Sequence, residues 1–129
     1  MSRKTRTVNI RENPSYDVYI GRNMNPMHPN ILSNRYSIGV DGSREEVVRK
    51  FAYDFRIRWK TEPEFRQAVL AARGRVLGCF CNPDQLCHGQ VIADFVDAFI
   101  DGEDASFRAI EKYINIQEQS SIEDMLNAL

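Results

Sequence analysis

The residues best equipped for chemistry lie in one ten-residue segment, from Cys79 to His88. It holds all three cysteines of the chain and one of its two histidines. Residues two apart on a strand share a face, so Cys79 and Cys81 point the same way, and a turn at Pro83 brings Cys87 and His88 back towards them. Three thiolates and an imidazole suffice for tetrahedral zinc. The candidate metal ligands are therefore Cys79, Cys81, Cys87 and His88.

Two other hypotheses for this segment stay open beside zinc or another soft metal. In the first, the cysteines are small buried residues that only pack, and His88 caps a helix. In the second, one thiolate reacts, since Cys87 lies near a helix N-terminus, where the helix dipole lowers a thiol pKa. Neighbours such as residues 87 and 88 seldom face each other on a helix, so the catalytic candidates are Cys81 and His88, with Cys79 as the alternative to Cys81.

Apolar periodicity predicts the elements that position this segment. Strands are expected at 7–10, 17–20 and 75–81, the second of them buried on both faces. Helices are expected from Ser43 and from Thr61, each opened by a capping box, and again at 88–100 and about 105–113. This order predicts an α/β fold with a small, mostly parallel sheet flanked by helices, in a Rossmann-like two-layer or three-layer arrangement.

A single domain is expected over residues 1–113, because a chain of 129 residues buries a sufficient core without a disulfide or a metal. Apolar side chains at four-residue intervals predict the buried face of the first helix: Val47, Phe51, Phe55 and Trp59. Residues 114–129 are predicted to form a tail, polar at first and then amphipathic. The tail is expected to dock on a protein partner or on a second copy of the chain.

Composition argues against several classes of function. A formal net charge of -1 and a pI near 6.1 do not favour a basic nucleic-acid-binding surface. No apolar run approaches the ~18 residues of a membrane span. The first seven residues are polar and basic rather than signal-like, and the three cysteines are an odd count. We therefore expect a cytoplasmic protein without membrane or nucleic-acid partners.

The chemically unusual positions coincide with the expected strand ends, where open α/β sheets bind their ligands. Gly21 and Arg22 follow the second strand, and Arg22 is a candidate anion clamp or a surface ion pair. Arg44 opens the first helix, where its charge opposes the helix dipole unless it makes an ionic contact. Gly89 lies at the start of the helix expected at 88–100, where the first amide groups are free to bind an anion. The long segment 23–42 is expected to act as a lid.

Four motifs in order resemble the Domain of Unknown Function 4326 family, small proteins of phages and bacteria. They are Asp-Val-Tyr-Ile-Gly-Arg at 17–22, Ile-Gly-Val-Asp-Gly-Ser-Arg-Glu-Glu at 38–46, Gly-Arg-Val-Leu-Gly-Cys-Phe-Cys-Asn-Pro at 74–83, and Cys-His-Gly at 87–89. The resemblance covers about residues 5–100 and implies a compact α/β domain. It adds Asn34 to the candidate ligand-binding residues, because family members carry an Asn-containing segment after the Gly-Arg and Asn34 is the residue of this chain that matches its asparagine. It also implies an acidic residue where this chain has Gln90.

Two functional hypotheses follow. In the first, the protein binds a nucleotide-like or phosphorylated small molecule across Gly21, Arg22 and the Cys79–His88 segment, with or without acting on it. In the second, it is a protein-interaction module without catalysis, whose Cys79–His88 segment is held by zinc or by plain packing.

Overall fold

The computed structural model describes residues 4–22, 30–81 and 85–127, with side chains as far as residue 115. Three strands and four α-helices follow one another as β1 (Arg6–Asn9), β2 (Val18–Tyr19), α1 (Arg44–Thr61), α2 (Pro63–Ala71), β3 (Val76–Cys79), α3 (His88–Ala98) and α4 (Glu103–Asn127). A single 3-10 turn, Phe99–Asp101, joins α3 to α4. The predicted α/β fold is confirmed.

The sheet is wholly parallel, with the strand order β1-β3-β2. Asn9 lies opposite Cys79, and Tyr19 lies opposite Gly78. The latest strand of the chain is therefore the central one, as its nearly continuous apolar sequence indicates. The second and third strands pair in parallel, in agreement with the predicted mostly parallel sheet, and α1 and α2 form the crossover between them.

The two faces of the sheet are covered differently. Leu77 and Cys79 are buried in the core that the helices form. Gly78 points the other way, and a Cβ there would lie 2.7 Å from the side chains of Ile10 and Tyr16, in the segment that joins β1 to β2. That segment therefore covers the outer face, and the fold has two layers. The prediction that the second strand is buried on both faces was wrong, because Val18 and Tyr19 are half-buried at the edge of the sheet.

The helical layer is built around α1. Its predicted stripe, Val47, Phe51, Phe55 and Trp59, is fully buried. Aromatic rings from several helices meet there: the centroid of Phe95 in α3 lies 4.7 Å from those of Phe55 and Trp59. Edge-to-face contacts between such rings stabilise a protein beyond what their buried area alone contributes. The stripe thus holds α1, and the residues at its first turn, in a fixed position beside the sheet.

Helix ends explain where the chain changes direction. Ser43 caps α1 and accepts a hydrogen bond from the Glu46 amide at 3.2 Å, as the capping-box sequence predicts. The second predicted capping box was wrong, because Thr61 is the last residue of α1 and its hydroxyl donates to the Ile57 carbonyl. Pro63 instead opens α2, where a missing amide hydrogen costs little.

The C-terminal region is one helix. The predicted short helix at 105–113 is part of α4, which continues without a break to Asn127. The predicted tail, residues 114–129, thus begins inside α4, and its docking on a partner stays a prediction. Within the described ranges, no helix is both long enough and apolar enough to cross a bilayer.

Gly78→Ala tests whether the segment that joins β1 to β2 packs against the outer face of the sheet. The new methyl group would press on Ile10 and Tyr16, so we expect the free energy of unfolding to fall by about 1–3 kcal/mol. Tyr16 is partly exposed and can be truncated. Chemical denaturation of Gly78→Ala, with and without Tyr16→Ala, measures the coupling. A cost that is the same in both backgrounds contradicts this packing.

Candidate functional site

A cavity of about 440 Å³ opens at the carboxyl ends of β2 and β3. This volume is typical of a small-molecule site. The cavity is surrounded by the residues after β2, the segment 34–38, the first turn of α1 and the segment from Cys79 to His88. Eight of the candidate site residues line it together: Gly21, Arg22, Asn34, Arg44, Cys79, Cys81, Cys87 and His88.

Gly89 is the candidate that does not line the cavity. A Cβ there would lie 2.6 Å from Thr7 and 2.7 Å from Ile20, so this glycine lets α3 approach the sheet closely. Its amide donates to the sulfur of Cys87 at 3.5 Å. The amide is therefore used inside the cluster rather than presented to a ligand.

Residues 30–37 are fastened to the strand end. The side-chain amide of Asn30 donates to the carbonyls of Tyr19 at 2.7 Å and Gly21 at 2.9 Å. Arg22 donates to the carbonyls of Asn34 at 3.1 Å and Tyr36 at 2.9 Å. The guanidinium of Arg22 thus supports the cavity wall. Much of the predicted lid is this tethered wall, while its residues 23–29 lie outside the described residues.

Asn34 joins that wall to α1. Its side chain is buried, donates to the Val47 carbonyl at 3.0 Å and accepts from the Tyr36 amide at 3.0 Å. A buried polar group without such partners costs free energy. Asn34 therefore shapes the cavity by fixing the segment 34–36.

Asn34→Ala should lower the free energy of unfolding by about 2 kcal/mol, because Val47 loses its buried donor. Asn13→Ala is a matched control, since the Asn13 side chain also accepts from an amide two residues ahead but is exposed. We expect the control to cost roughly 0.5 kcal/mol or less. Urea denaturation of both variants measures the difference, and equal costs contradict a buried role for Asn34.

The three cysteine sulfurs form one cluster. They all lie within 4.8 Å of one another and could hold a metal ion. The sulfurs of Cys79 and Cys87 are 3.5 Å apart, and all three cysteines are free. β3 supplies Cys79, the chain just beyond it supplies Cys81, and Cys87 is the N-cap of α3. The strand alternation and the turn that the sequence predicts do bring the three together.

The cluster favours a single thiolate, on Cys81. Hydrogen bonds from Cys79 and Cys87, with a smaller contribution from Arg44, lower the pKa of the Cys81 thiol far below its ordinary value. The same interactions raise the pKa of Cys79, through Cys81, and that of Cys87, through Cys79 and Cys81. Among the three thiols, that of Cys81 is therefore the one most readily deprotonated.

His88 lies beside this cluster and is held from two sides. Its Nε2 is 2.9 Å from the Ile20 carbonyl, which can only accept, so Nε2 carries the proton and Nδ1 does not. Nδ1 lies 3.8 Å from the Cys87 sulfur, and the ring packs edge-on against Phe51. Burial lowers the pKa of His88 below its ordinary value. The imidazole contacts Cys87, and it is not part of the three-sulfur group.

Arg44 makes an inward polar contact, of the kind expected from its position at the start of α1. Its Nη1 donates to the Cys81 sulfur at 3.3 Å and to the Leu86 carbonyl at 3.1 Å. The guanidinium thus places a positive charge against the Cys81 sulfur and ties α1 to the segment before α3. Both ends of this contact line the cavity.

Aromatic residues of the cavity wall were missed by the sequence analysis. Tyr19 and Phe80 lie edge to face, with ring centroids 6.2 Å apart, and Arg11 stacks over Phe80 at 5.1 Å. Tyr36 stands on another part of the wall, and its hydroxyl donates to Asp54 at 2.7 Å. The signal that could have found two of them is their place at the ends of the parallel strands.

The profile of the Domain of Unknown Function 4326 family matches residues 3–98. The chain belongs to this family. The family region ends at the last residue of α3, so it contains every described residue that lines the cavity, and α4 lies outside it.

A protein of Enterobacteria phage T4, described as an uncharacterized 12.4 kDa protein in the nrdA-td intergenic region, is 39% identical over 61 residues. The alignment covers 46% of this chain and 56% of the phage protein, so the chain spans about half the length of that relative. No solved structure matches the chain.

Proposed function

We propose that the protein binds a nucleotide-like or otherwise phosphorylated small molecule in the strand-end cavity. One observation carries the proposal: the described lining combines two guanidinium groups and three aromatic rings, and no carboxylate is among those residues. The location agrees with the general placement of ligands in open α/β folds.

The charge of the lining favours an anion. Arg22 and Arg44 lie on different parts of the wall, and neither forms an ion pair with a carboxylate of the described residues. A guanidinium carries five N–H donors and binds phosphate oxygens in a planar, two-point fashion. The two arginines thus offer donors and charge to a phosphate that enters the cavity.

The aromatic rings favour a planar second part of the ligand. Tyr19, Tyr36 and Phe80 line the same cavity as the arginines, and Phe80 is half exposed at its mouth. Stacking of a base on an aromatic side chain is worth roughly 1–3 kcal/mol. A phosphate joined to a nucleobase uses both kinds of surface, which a simple inorganic anion does not.

A thermal-shift screen tests the proposal, with nucleoside monophosphates, the matching nucleosides and inorganic phosphate as probes. We expect the monophosphates to raise the melting temperature most, since a ligand at a hundred times its Kd stabilises the fold by about 2.7 kcal/mol. Stabilisation should weaken with added salt. If no monophosphate raises the melting temperature more than its nucleoside does, the proposal is wrong.

A second candidate function is metal binding, and we propose that the three cysteines hold zinc. Zn–S bonds of 2.3 Å in tetrahedral geometry set the sulfurs about 3.8 Å apart, close to the 3.5 Å between Cys79 and Cys87. Metal analysis of protein purified without added zinc should find one zinc per chain. Metal-free protein with a fast-reacting thiol would instead favour Cys81 as a nucleophile, and metal-free protein with inert thiols would favour plain packing.

A further inference from the structure

We infer that the proposed zinc centre is open towards the cavity, and that a donor atom of the anionic ligand completes its coordination. This inference rests on the proposed zinc binding and the proposed ligand binding, and it joins the two. Zinc sites with three protein ligands and a free fourth position are typical of centres that bind a water or a substrate, whereas closed four-ligand sites are structural.

The sulfurs lie where an open site requires them. Cys79, Cys81 and Cys87 all line the cavity. Cys79 and Cys87 are each 2% exposed, while Cys81 is half-buried on the side of Arg44. A metal bound by the three sulfurs would therefore have protein on one side and the cavity on the other.

The described residues supply no fourth ligand at the cluster. No other cysteine, histidine, aspartate or glutamate of the described ranges joins the three sulfurs within 4.8 Å. His88 is the nearest candidate, and its ring is held by the bond from Nε2 to the Ile20 carbonyl and by Phe51. A carbonyl bond of this kind is compatible with metal binding through the other ring nitrogen, and Nδ1 lies 3.8 Å from the Cys87 sulfur. Neither ring nitrogen, however, lies within 4.8 Å of all three sulfurs, so the imidazole in this position is not a fourth ligand.

The charges allow an anionic fourth ligand. Zinc with three thiolates carries one net negative charge, which the Arg44 guanidinium offsets through its contact with Cys81, so the centre with its arginine does not repel an anion. A phosphate oxygen at the fourth position would then lie next to that guanidinium, because Arg44 and Cys81 line the same part of the cavity. The arginine and the metal would bind one anion together.

Cobalt substitution of the full-length protein tests the open site, since Co²⁺ with thiolate ligands absorbs visible light according to its coordination. We expect inorganic phosphate and a nucleoside monophosphate to change the visible bands, the monophosphate at least about tenfold more tightly. Arg58→Met is the control, because Arg58 pairs with Glu62 towards the end of α1 and does not line the cavity. Its titration should match that of the unmodified chain.

X-ray absorption of the ligand-free zinc protein gives a readout that needs no variant. Three sulfurs and one oxygen, without the outer-shell scattering of an imidazole, support the open site. Imidazole scattering overturns the open site.

The cobalt experiment has two further outcomes. A cobalt spectrum that stays unchanged while a monophosphate stabilises the protein overturns the open site and leaves the proposed ligand binding intact. A cobalt spectrum that responds to inorganic phosphate, while monophosphates and nucleosides stabilise the fold equally, supports the open site and rejects the nucleotide-like ligand.

Discussion

Cys87→Ser should reduce bound zinc from one per chain to nearly none. Cys87 is the N-cap of α3 and one of the three clustered sulfurs. Serine is also a good N-cap, so the substitution keeps the start of the helix while it removes a thiolate ligand. Loss of a tightly bound metal costs stability by mass action, about 4 kcal/mol if the metal is present at a thousand times its Kd. Elemental analysis and thermal denaturation measure both effects.

Ser43→Ala separates the loss of a cap from the loss of a metal ligand. Ser43 caps α1 and does not belong to the sulfur cluster. We expect this variant to lose about 1 kcal/mol of stability and to keep its zinc. Stoichiometric zinc in Cys87→Ser contradicts the metal assignment, and the cluster would then be one of packing or of thiol chemistry.

Arg44→Met should weaken binding of a nucleoside monophosphate by about 10- to 100-fold. The substitution removes charge-assisted hydrogen bonds, each worth roughly 1.5–3 kcal/mol. Methionine keeps much of the length of the side chain beside Leu86. Isothermal titration of the zinc-loaded protein measures the change in Kd, and elemental analysis of the same sample verifies that the cluster still holds its metal.

Two further variants show whether charge at this position is responsible. Arg44→Lys keeps the charge but not the planar donor pair, so its affinity should lie between those of the parent protein and Arg44→Met. Arg58→Met removes an arginine that pairs with Glu62 away from the cavity, and it should change the Kd by less than about twofold. Equal losses in Arg44→Met and Arg58→Met would indicate a general charge effect.

Much of the fold could be predicted because its signals are local. The apolar period of α1, the Ser43 cap and the apolar strand β3 each follow from a short stretch of sequence. The covering of the outer face of the sheet could not be predicted, because Ile10 and Tyr16 pack over Gly78 from a distant part of the chain. The continuity of α4 was missed because its polar middle lacks the apolar stripe that marks a packed helix.

The candidate site divides in the same way. Strand alternation and the Cys-His-Gly segment placed the sulfurs together from sequence alone. The partners of Arg22 and Arg44 could not be foreseen, because each arginine bonds to atoms distant in the chain: the Asn34 and Tyr36 carbonyls for one, and the Cys81 sulfur for the other. Long-range side-chain contacts leave no periodic trace in a sequence.

The most direct test of the central claim is to map where a nucleoside monophosphate binds, from the backbone amide chemical shifts of the zinc-loaded protein at saturation. We expect the largest changes around the cavity, at Gly21, Arg22, Arg44 and Leu86, and little change along α4. Changes confined to α4 or to the outer face around Tyr16, or no change at any ligand concentration, would contradict it.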